Sequence, residues 1–324
     1  MRTELIMKYS LGIDIGGTNI AAGVVDEGYN IISKSKVKTN SGRGYEEVLR
    51  DIVFAGELAV REAELSMRDI EWVGMGCPGT CNIESGLVEY ANNLKWENVP
   101  LQKYVKDALG IPAYIENDAN AAALGEFYAG AAKGAKSAIV ITLGTGLGAG
   151  IIIDGKIFSG SNYAGAEIGH TVINVDGEQC TCGRKGCFET YCSATALVKF
   201  TKRAIEQNPD SLMVKLAEKE GKVSGRTAFN AARQGDRAGQ EIVDYFIKNL
   251  ACGIINTINV FQPNILCIGG GVSNEGDNLL NPLKERISKE VYSKNSDSNT
   301  EIVLCKLGNN SGIIGAALLG RQYK

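Results

Sequence analysis

The stretch YSLGIDIGGTNIAAGVV, residues 9–25, consists of two apolar runs on either side of a glycine turn. The first run ends at Ile15, and Gly16 and Gly17 lead into the second. A third apolar run covers residues 31–37 after a polar turn. Short apolar runs that are separated by turn residues in this way predict an antiparallel meander of three strands.

The pattern returns in the second half of the chain. Residues 137–144 (SAIVITLG) and 148–155 (GAGIIIDG) are again two apolar runs joined by a glycine turn, and residues 171–175 (TVINV) are a candidate third strand. Two successive units that open with such a hairpin predict a duplicated α/β architecture with a cleft between the halves. Apolar spacing predicts the remaining elements: helices at 45–65, 119–132, 189–206, 210–220, 237–262, 277–291 and 311–320, and strands at 70–76, 113–116, 265–269 and 301–305.

The composition is that of an ordinary globular protein. The 324 residues are 44% hydrophobic and 22% charged, which allows a sizeable core and favours two domains. The net charge of −3 gives no sign of a nucleic-acid or membrane-surface protein, and no apolar run approaches the ~20 residues of a membrane span. The N-terminal residues do not read as a signal peptide, and Met7 is an alternative start. Nine cysteines, an odd number, without an export signal therefore predict a reducing cytoplasm.

Three glycine-rich turns are candidate sites for a nucleotide. Such turns leave backbone N–H groups uncovered, so they can wrap anionic oxygens, and the acid just before the first turn, Asp14, is suited to hold Mg²⁺ through water. For each turn alone, a hairpin that uses glycine for its positive φ is the alternative. The candidate residues are Gly16, Gly17, Thr18 and Asn19 in the first turn, Thr142, Gly144, Thr145 and Gly146 in the second, and Gly269, Gly270 and Gly271, a flat patch for a nucleoside, in the third.

Asp118 stands at the junction of a predicted strand and an alanine-rich helix, in the stretch ENDANAAAL. Asparagine and aspartate are favoured helix N-caps, so Asn117 or Asp118 can cap this helix. A hydroxyl that attacks phosphorus needs a nearby carboxylate to orient it and to accept its proton, which makes Asp118 a candidate general base. The two interpretations are compatible with each other.

The single histidine and three of the nine cysteines occur within residues 170–187. The order His170-x9-Cys180-x-Cys182-x4-Cys187 supplies one imidazole and three thiolates, which complete a tetrahedral Zn²⁺ shell. The alternatives are buried inert cysteines and a redox pair. Buried inert cysteines rarely occur three to a loop as polar as this one. Because four protein ligands leave no open position, the spacing predicts a structural rather than a catalytic zinc ion.

Two acidic residues flank this cluster. Glu167 precedes His170 by three residues, and Glu189 follows Cys187 by two. A metal that fixes the loop would also fix both carboxylates, which accept hydrogen bonds from sugar hydroxyls, and the second ring nitrogen of His170 is a further candidate sugar contact. The alternatives are a charge at a helix N-terminus for Glu189 and a solvated surface acid for Glu167.

Together these motifs resemble the ROK family of sugar kinases, and within it the bacterial ATP-dependent glucokinases. The similarity runs nearly end to end through DIGGTN, GCPGT, NNLKW, ENDANAAALGE, TLGTGLGAGII, AGAEIGH, CTCGRKGCFETYCSATAL, IGGGV and GNNSGIIGAALL. The zinc motif with its flanking acids is highly specific, whereas the glycine motifs are shared across the hexokinase–actin–chaperone ATPase superfamily. The loop CPGTCN is richer in cysteine than the family pattern leads us to expect, which puts resistance to oxidation in doubt more than activity.

The resemblance implies a ribonuclease H-like, actin-like ATPase fold of two α/β domains, 1–117 plus 309–324 and 118–308, with an interdomain cleft. It implies a cytoplasmic glucokinase, dimeric or tetrameric, that transfers a phosphoryl group from MgATP to the 6-hydroxyl of glucose and contains one structural Zn²⁺. Asp118 matches the family's catalytic base. The other matching residues are the sugar contacts Gly79, Asn92, Asn117, Glu167, His170 and Glu189, the zinc ligands His170, Cys180, Cys182 and Cys187, and the nucleotide-binding residues Gly16–Asn19, Gly144–Gly146 and Gly269–Gly271.

Several rival interpretations stay open at this point. The acceptor is N-acetylmannosamine, N-acetylglucosamine, mannose or fructose in kinases that share the sugar motif, and polyphosphate is an alternative donor. A sugar-sensing repressor of this fold needs a helix-turn-helix, but the first predicted strand starts near residue 9 and the net charge is acidic. An actin- or chaperone-like ATPase would leave Glu167, Glu189 and the metal loop unexplained.

Overall fold

The computed structural model describes residues 8–324, so the alternative start at Met7 lies outside the described residues. The chain divides into two compact units. The first contains the described residues up to Val140 together with Gly150–Ala166 and Lys306–Lys324, and the second contains Ile141–Ala149 and Glu167–Cys305. This division does not coincide with the expected domain boundary between residues 117 and 118, which stays a prediction.

Strands and helices alternate along the chain, as an α/β architecture requires. The strands are β1 (Tyr9–Ile15), β2 (Asn19–Val25), β3 (Ile31–Lys38), β4 (Ile70–Cys77), β5 (Thr80–Asn82), β6 (Leu87–Ala91), β7 (Trp96–Val99), β8 (Ala113–Asn117), β9 (Ala138–Leu143), β10 (Leu147–Ile153), β11 (Lys156–Ile157), β12 (Ile265–Gly269) and β13 (Glu301–Leu304). The α-helices are α1 (Tyr45–Glu62), α2 (Leu101–Leu109), α3 (Asp118–Ala129), α4 (Glu189–Cys192), α5 (Ala194–Gln207), α6 (Leu212–Glu220), α7 (Thr227–Ala232), α8 (Arg237–Phe261), α9 (Asp277–Glu290), α10 (Ser311–Ala317) and α11 (Leu319–Tyr323).

A five-stranded sheet with the order β3-β2-β1-β4-β8 forms the centre of the first unit. β1, β2 and β3 are an antiparallel meander, as the opening stretch predicts, while β4 and β8 run parallel to β1. The alternating residues Leu11, Ile13 and Ile15 are fully buried on one face of β1. Because parallel strands end at the same edge of a sheet, Asp14 near the end of β1 and Asn117 at the end of β8 are brought to one edge.

A second five-stranded sheet has the order β11-β10-β9-β12-β13, which repeats the first order strand for strand. β10 and β11 are antiparallel and β12 and β13 are parallel. This repetition confirms the duplicated α/β architecture that the two glycine hairpins predict. Among residues 8–324, no helix combines the length and the apolar character that crossing a membrane requires.

Helix α10 packs closely against α3 within the first unit. At Gly315 of α10, an added Cβ atom would lie 1.6 Å from the carbonyl oxygen of Ala121, and at Gly125 of α3 it would lie 2.4 Å from the carbonyl oxygen of Ser311. Only glycine therefore permits this separation of the two helix backbones. The close approach explains why the C-terminal motif GNNSGIIGAALL combines glycine with small apolar residues.

A buried acid fixes the C-terminal end of α3. Glu126 has no solvent exposure, and its carboxylate accepts hydrogen bonds from the backbone N–H groups of Ala131 at 2.8 Å, Lys306 at 3.1 Å and Leu307 at 2.8 Å. These donors satisfy a charge that would otherwise be costly to bury. The helix that begins at Asp118 is thus tied to the segment that leads into α10.

Two expectations about secondary structure are wrong. Residues 171–175 are not a third strand, because they form only an isolated bridge, between Val172 and Cys187, and Val175 is 79% exposed. The third strand is β11, since it directly follows β10 through a tight turn. The long helix expected over 189–206 is broken at Ser193, which is extended and accepts a hydrogen bond from Ala196 N at 3.1 Å as the N-cap of α5. The short sheet β5-β6-β7 and helices α2 and α7 were not predicted.

Candidate active site and metal centre

The junction of β8 and α3 holds the candidate base. Asn117 is the N-cap of α3, because its side-chain oxygen accepts hydrogen bonds from Ala119 N at 2.9 Å and Asn120 N at 3.2 Å. Its amide nitrogen donates to the carbonyl oxygen of Gly79 at 3.1 Å. Asp118 is the first residue of the helix, and its Oδ1 accepts from Ala119 N at 2.9 Å. The capping role therefore belongs to Asn117.

The carboxyl of Asp14 lies at the same edge of the first sheet. In the sheet register, Asp14 pairs with Gly76 of β4, and Gly76 packs against Asp118 and Ala121 of α3. Burial, and secondly the negative charge of Asp118, raise the pKa of Asp14 to about 6. A carboxyl whose pKa is raised by burial and by a neighbouring acid near a sheet edge is typical of a site that binds a cation or moves a proton.

Asp14→Asn is expected to make the protein more stable at pH 7–8 and less active. The folded pKa of about 6 exceeds the unfolded value of 3.8, so the folded state binds the extra proton between these values. The unfolding free energy contributed by Asp14 is therefore highest below about pH 4 and falls as the pH rises through about 6, a loss of the order of 1–3 kcal/mol. Urea unfolding of the wild type and the variant from pH 4 to pH 8 measures this difference. An equal change in Asp297→Asn, at an exposed position, or no convergence of the two proteins at low pH would contradict it.

The other candidate residues of the first unit surround this edge. Gly79, in the turn after β4, packs against the backbone of Tyr90 and Ala91 at the end of β6. Asn92 follows directly, and its side-chain oxygen accepts a hydrogen bond from the Tyr90 hydroxyl at 3.3 Å. The structure thus places Gly79 near Asn92 and within hydrogen-bonding distance of Asn117. The first glycine turn is closed by Gly16 N, which donates to Asn19 O at 2.9 Å, and Thr18 is exposed in it.

The remaining glycine turns meet at the end of β9 in the second unit. Gly270 packs against the backbone of Leu143, and Gly269 lies near the methyl group of Thr142. The second turn is closed by Gly144 N, which donates to Gly146 O at 3.0 Å. The start of helix α5 also holds this turn, because Ala194 N donates to Gly144 O at 2.8 Å and the Thr195 hydroxyl donates to Thr145 O at 2.7 Å.

Glu189 follows the metal loop, residues 170–187, and also contacts the second glycine turn. Its carboxylate accepts a hydrogen bond from Leu147 N, the residue after Gly146, at 2.8 Å. On the same side, Gly169 packs against the carbonyl oxygen of Leu147. Gly169 is part of a 3₁₀ turn, Ile168–His170, that directly follows Glu167. The start of β10 therefore brings the two expected sugar-binding acids of this unit towards the same glycine turn.

The four expected zinc ligands converge. One ring nitrogen of His170 and the thiol sulfurs of Cys180, Cys182 and Cys187 all lie within 4.8 Å of one another. His170 Nδ1 and Cys180 Sγ are 3.7 Å apart, and Cys182 Sγ and Cys187 Sγ are 3.6 Å apart. Ligands about 2.3 Å from a tetrahedral metal are themselves about 3.8 Å apart, so these separations suit zinc. Burial, and next the Cys182 thiol, raise the pKa of Cys187 to about 12, and a bound cation would favour its thiolate.

The metal loop also has anchors of its own. Gly186 has φ of +75°, and a Cβ atom at this position would lie 1.5 Å from the carbonyl oxygen of Asn174, so no other residue fits. The Glu178 carboxylate binds Arg203 and Lys199 of α5 at 2.5 Å each, and these hydrogen bonds, that of Arg203 first, lower the pKa of Glu178 to about 2. Helix α5 therefore holds one side of the loop, and the ligand set holds the other.

Glu116 is a feature of the site that the sequence analysis did not single out. It lies in β8 directly before Asn117, is 1% exposed, and accepts four hydrogen bonds. An acid inside the otherwise apolar stretch AYIE is the signal that would have pointed to it. Asp14, the first glycine turn, Gly79, Asn92, Asn117 and Asp118 thus belong to the first unit, and the other candidates belong to the second.

Comparisons with known proteins agree with this geometry. The family model described as "ROK family" matches residues 10–323. The chain is 38% identical over 319 residues to a glucokinase of Streptomyces coelicolor, covering 98% of both proteins. The solved structure of a ROK family glucokinase from Streptomyces griseus, in complex with glucose and AMPPNP, is similar with a TM-score of 0.81 and 36% identity over 97% of this chain and 99% of that one.

A relative of a different class is also similar. The xylose repressor of Caldicellulosiruptor bescii is 32% identical over 94% of this chain, but the match spans only 76% of the repressor. The fold expected from the resemblance is confirmed by the glucokinase structure. On the family match and the similarity over nearly its whole length, the chain belongs to the ROK family.

Proposed function

We propose that this chain is a cytoplasmic glucokinase that transfers the terminal phosphoryl group of ATP to the 6-hydroxyl of glucose. The observation that carries the proposal is the 36–38% identity, over nearly the whole chain, to glucokinases, one of which was solved with glucose and AMPPNP. The arrangement at the β8–α3 junction supports it, because an acid at the first position of a helix stands beside a partner acid with a raised pKa.

Asp118 acts as the general base in this proposal. As the 6-hydroxyl oxygen attacks the phosphorus in line, its proton passes to the Asp118 carboxylate, and the bond from phosphorus to the bridging oxygen of ADP breaks. Asn117 would also hydrogen-bond to the sugar, and its side chain is held in place because it donates to Gly79 O and caps α3. The rigid cap keeps both side chains in register for the transfer.

In this proposal Glu167, His170 and Glu189 also bind the sugar. His170 would hold zinc through Nδ1, the atom that faces the Cys180 thiol, and its other ring nitrogen would then be a donor. Zinc, when bound, contributes rigidity to the loop, because its four ligands are all from the protein. We further propose that closure of domains 1–117 plus 309–324 and 118–308 excludes water, which would compete for the phosphoryl group.

The nucleotide lies on the glycine turns. The residues Gly16–Asn19 and Gly144–Gly146 would bind the phosphates through backbone N–H groups, and Gly269–Gly271 would lie against the nucleoside. Asp14 would hold the magnesium ion of MgATP through water, which requires its ionised form. The raised pKa of Asp14 is consistent with a carboxylate that awaits a cation.

A coupled assay with a panel of sugars and donors tests the proposal. We expect glucose with ATP to have the highest kcat/KM, ahead of mannose, fructose, N-acetylglucosamine and N-acetylmannosamine, and ATP to exceed polyphosphate as donor. A higher kcat/KM for an N-acetylated sugar would keep the chemistry and change the acceptor. No phosphorylation of any sugar would remove the proposed function.

The similarity to a xylose repressor makes a sugar-responsive regulator the second candidate. We propose that nucleic acid is not a partner, on the net charge of −3, and that the protein is a homodimer or homotetramer as its family members commonly are. A gel-shift assay with fragmented genomic DNA tests the first statement. Light scattering of the protein during size-exclusion chromatography tests the second. Sequence-specific retardation of DNA would revive the regulator.

A further inference from the structure

Glu116 is a buried carboxylate whose hydrogen-bonding capacity is filled from four directions. Its Oε1 accepts from Asn117 N at 2.8 Å and from the side-chain nitrogen of Asn120 at 3.0 Å. Its Oε2 accepts from the Ser159 hydroxyl at 3.1 Å and from the Tyr323 hydroxyl at 2.5 Å. An ionised carboxylate accepts about four such bonds, so this residue is fully satisfied as an anion without any lysine or arginine.

Two of these donors belong to the turn that carries the candidate base. Asn117 caps α3 and Asn120 lies in its first turn, so the two hydrogen bonds to Glu116 fix the start of this helix. The sheet register pairs Asp14 with Gly76 and Gly76 with Glu116, which places the three on one row of the sheet. Gly76 packs against Asp118 in the middle of this row. Glu116 is thus a direct neighbour of the turn and takes no part in the proposed chemistry.

The other two donors come from remote parts of the chain. Ser159 follows β11, and Tyr323 is the penultimate residue. Burial, and next the charge of Glu116, raise the pKa of the Tyr323 hydroxyl far above its usual range, so it stays a donor. The C-terminal helix α11 is itself held in place, because Gln322 donates to Gly155 O at 3.0 Å and Arg321 donates to the Tyr29 hydroxyl at 3.1 Å and stacks on its ring.

We propose that Glu116 is a positioning residue, and that the hydroxyl of Tyr323 at the C-terminus is the part of the structure that fixes it. We call these two residues the Glu116–Tyr323 clamp. The clamp sets the position of Asn117 and Asp118, so the last turn of the chain controls the geometry of phosphoryl transfer. This inference rests on the proposed function.

The test compares two variants that each remove one hydroxyl group. One hydroxyl is on Tyr323 of the C-terminal helix α11, and the other is on Tyr29, which contacts that helix through Arg321. Tyr323→Phe removes the donor to Glu116 and keeps the ring. Tyr29→Phe removes the acceptor of Arg321 and leaves the clamp intact. We expect Tyr323→Phe to lower kcat about tenfold and to raise KM for glucose, because the proposed base Asp118 and the proposed sugar contact Asn117 lie in the same turn. KM for ATP should stay unchanged. Glu116→Gln should show the same split more strongly, and Tyr29→Phe should match the wild type.

A purely structural role gives a different result. Loss of folded protein lowers the apparent kcat and the melting temperature but leaves KM for glucose unchanged, and this outcome in Tyr323→Phe would overturn the clamp. Wild-type values of kcat and both KM in Tyr323→Phe would overturn it too. A fall of equal size in Tyr29→Phe would show that anchoring of the helix, and no particular hydrogen bond, is what matters.

A failure of the proposed function is distinguishable from a failure of the clamp. If the wild type phosphorylates no glucose, the function fails, and amide hydrogen exchange of residues 117–121 then judges the clamp. Faster exchange there in Tyr323→Phe but not in Tyr29→Phe supports the positioning role. Equal exchange in the two variants and the wild type overturns it.

Discussion

Asp118→Asn is expected to lower kcat for glucose by about 10³-fold or more, with KM for glucose within a few-fold of the wild type. A positioned general base contributes about 10²–10⁴-fold, and the amide can neither accept the proton nor orient the hydroxyl as an anion does. Glucose still binds, because Asn117, Glu167, His170 and Glu189 are untouched. The fold is preserved, since Asn117 caps α3 and Asp118 is not needed as the cap.

Steady-state kinetics with a coupled assay, and binding of glucose by calorimetry, measure the two halves of this prediction. Asp277→Asn is the matched control, because Asp277 is also the first residue of a helix, α9, and is exposed. The control loses the same favourable interaction with a helix N-terminus and should keep wild-type kcat. Near-normal turnover in Asp118→Asn, or in Asp118→Ala, would remove Asp118 from its proposed role.

Loss of the metal is expected to have the second-largest effect. The purified protein should contain about one zinc ion per chain, and Cys180→Ser should contain almost none, because a hydroxyl is a poor substitute for a thiolate ligand. We expect kcat/KM for glucose to fall about 10²-fold or more, since Glu167, His170 and Glu189 lose the loop that holds them. Binding of structural zinc contributes folding energy directly, so the melting temperature should fall as well.

Elemental analysis of protein purified in metal-free buffer, followed by kinetics and thermal unfolding, measures these changes. Cys252→Ser, at an exposed position of α8 outside the cluster, is the control for the general effect of a cysteine substitution. Treatment with a chelator that is removed before MgATP is added should reproduce the phenotype of Cys180→Ser in the wild type but leave that variant unchanged. Wild-type protein without zinc, or full activity in Cys180→Ser, would break the structural account of the cluster.

Local patterns were enough for the elements that are long or strongly apolar. The meander β1–β3, the strands β8 and β12 and the helices α8 and α9 follow from periodicity and turn residues alone. The short sheet β5-β6-β7 did not, because its strands TCN, LVEYA and WENV contain polar residues and lack a continuous apolar run such as ILCIG in β12. Residues 171–175 alternate like a strand, but they follow the path that the metal loop imposes, so the tertiary context overrode the local preference.

The sequence by itself determined which residues are the candidates for the metal ligands, the glycine turns and the general base, because chemistry that depends on residue type and short spacing can be read from neighbouring residues. Only the tertiary structure decided that Asn117 is the cap, that Glu189 binds the second glycine turn and that Glu116 binds Tyr323. The cap was a choice between two neighbouring residues, whereas Glu189 and Leu147 are 42 positions apart and Glu116 and Tyr323 are 207 positions apart. Hydrogen bonds over such separations follow from the packing of whole elements, which no local pattern encodes.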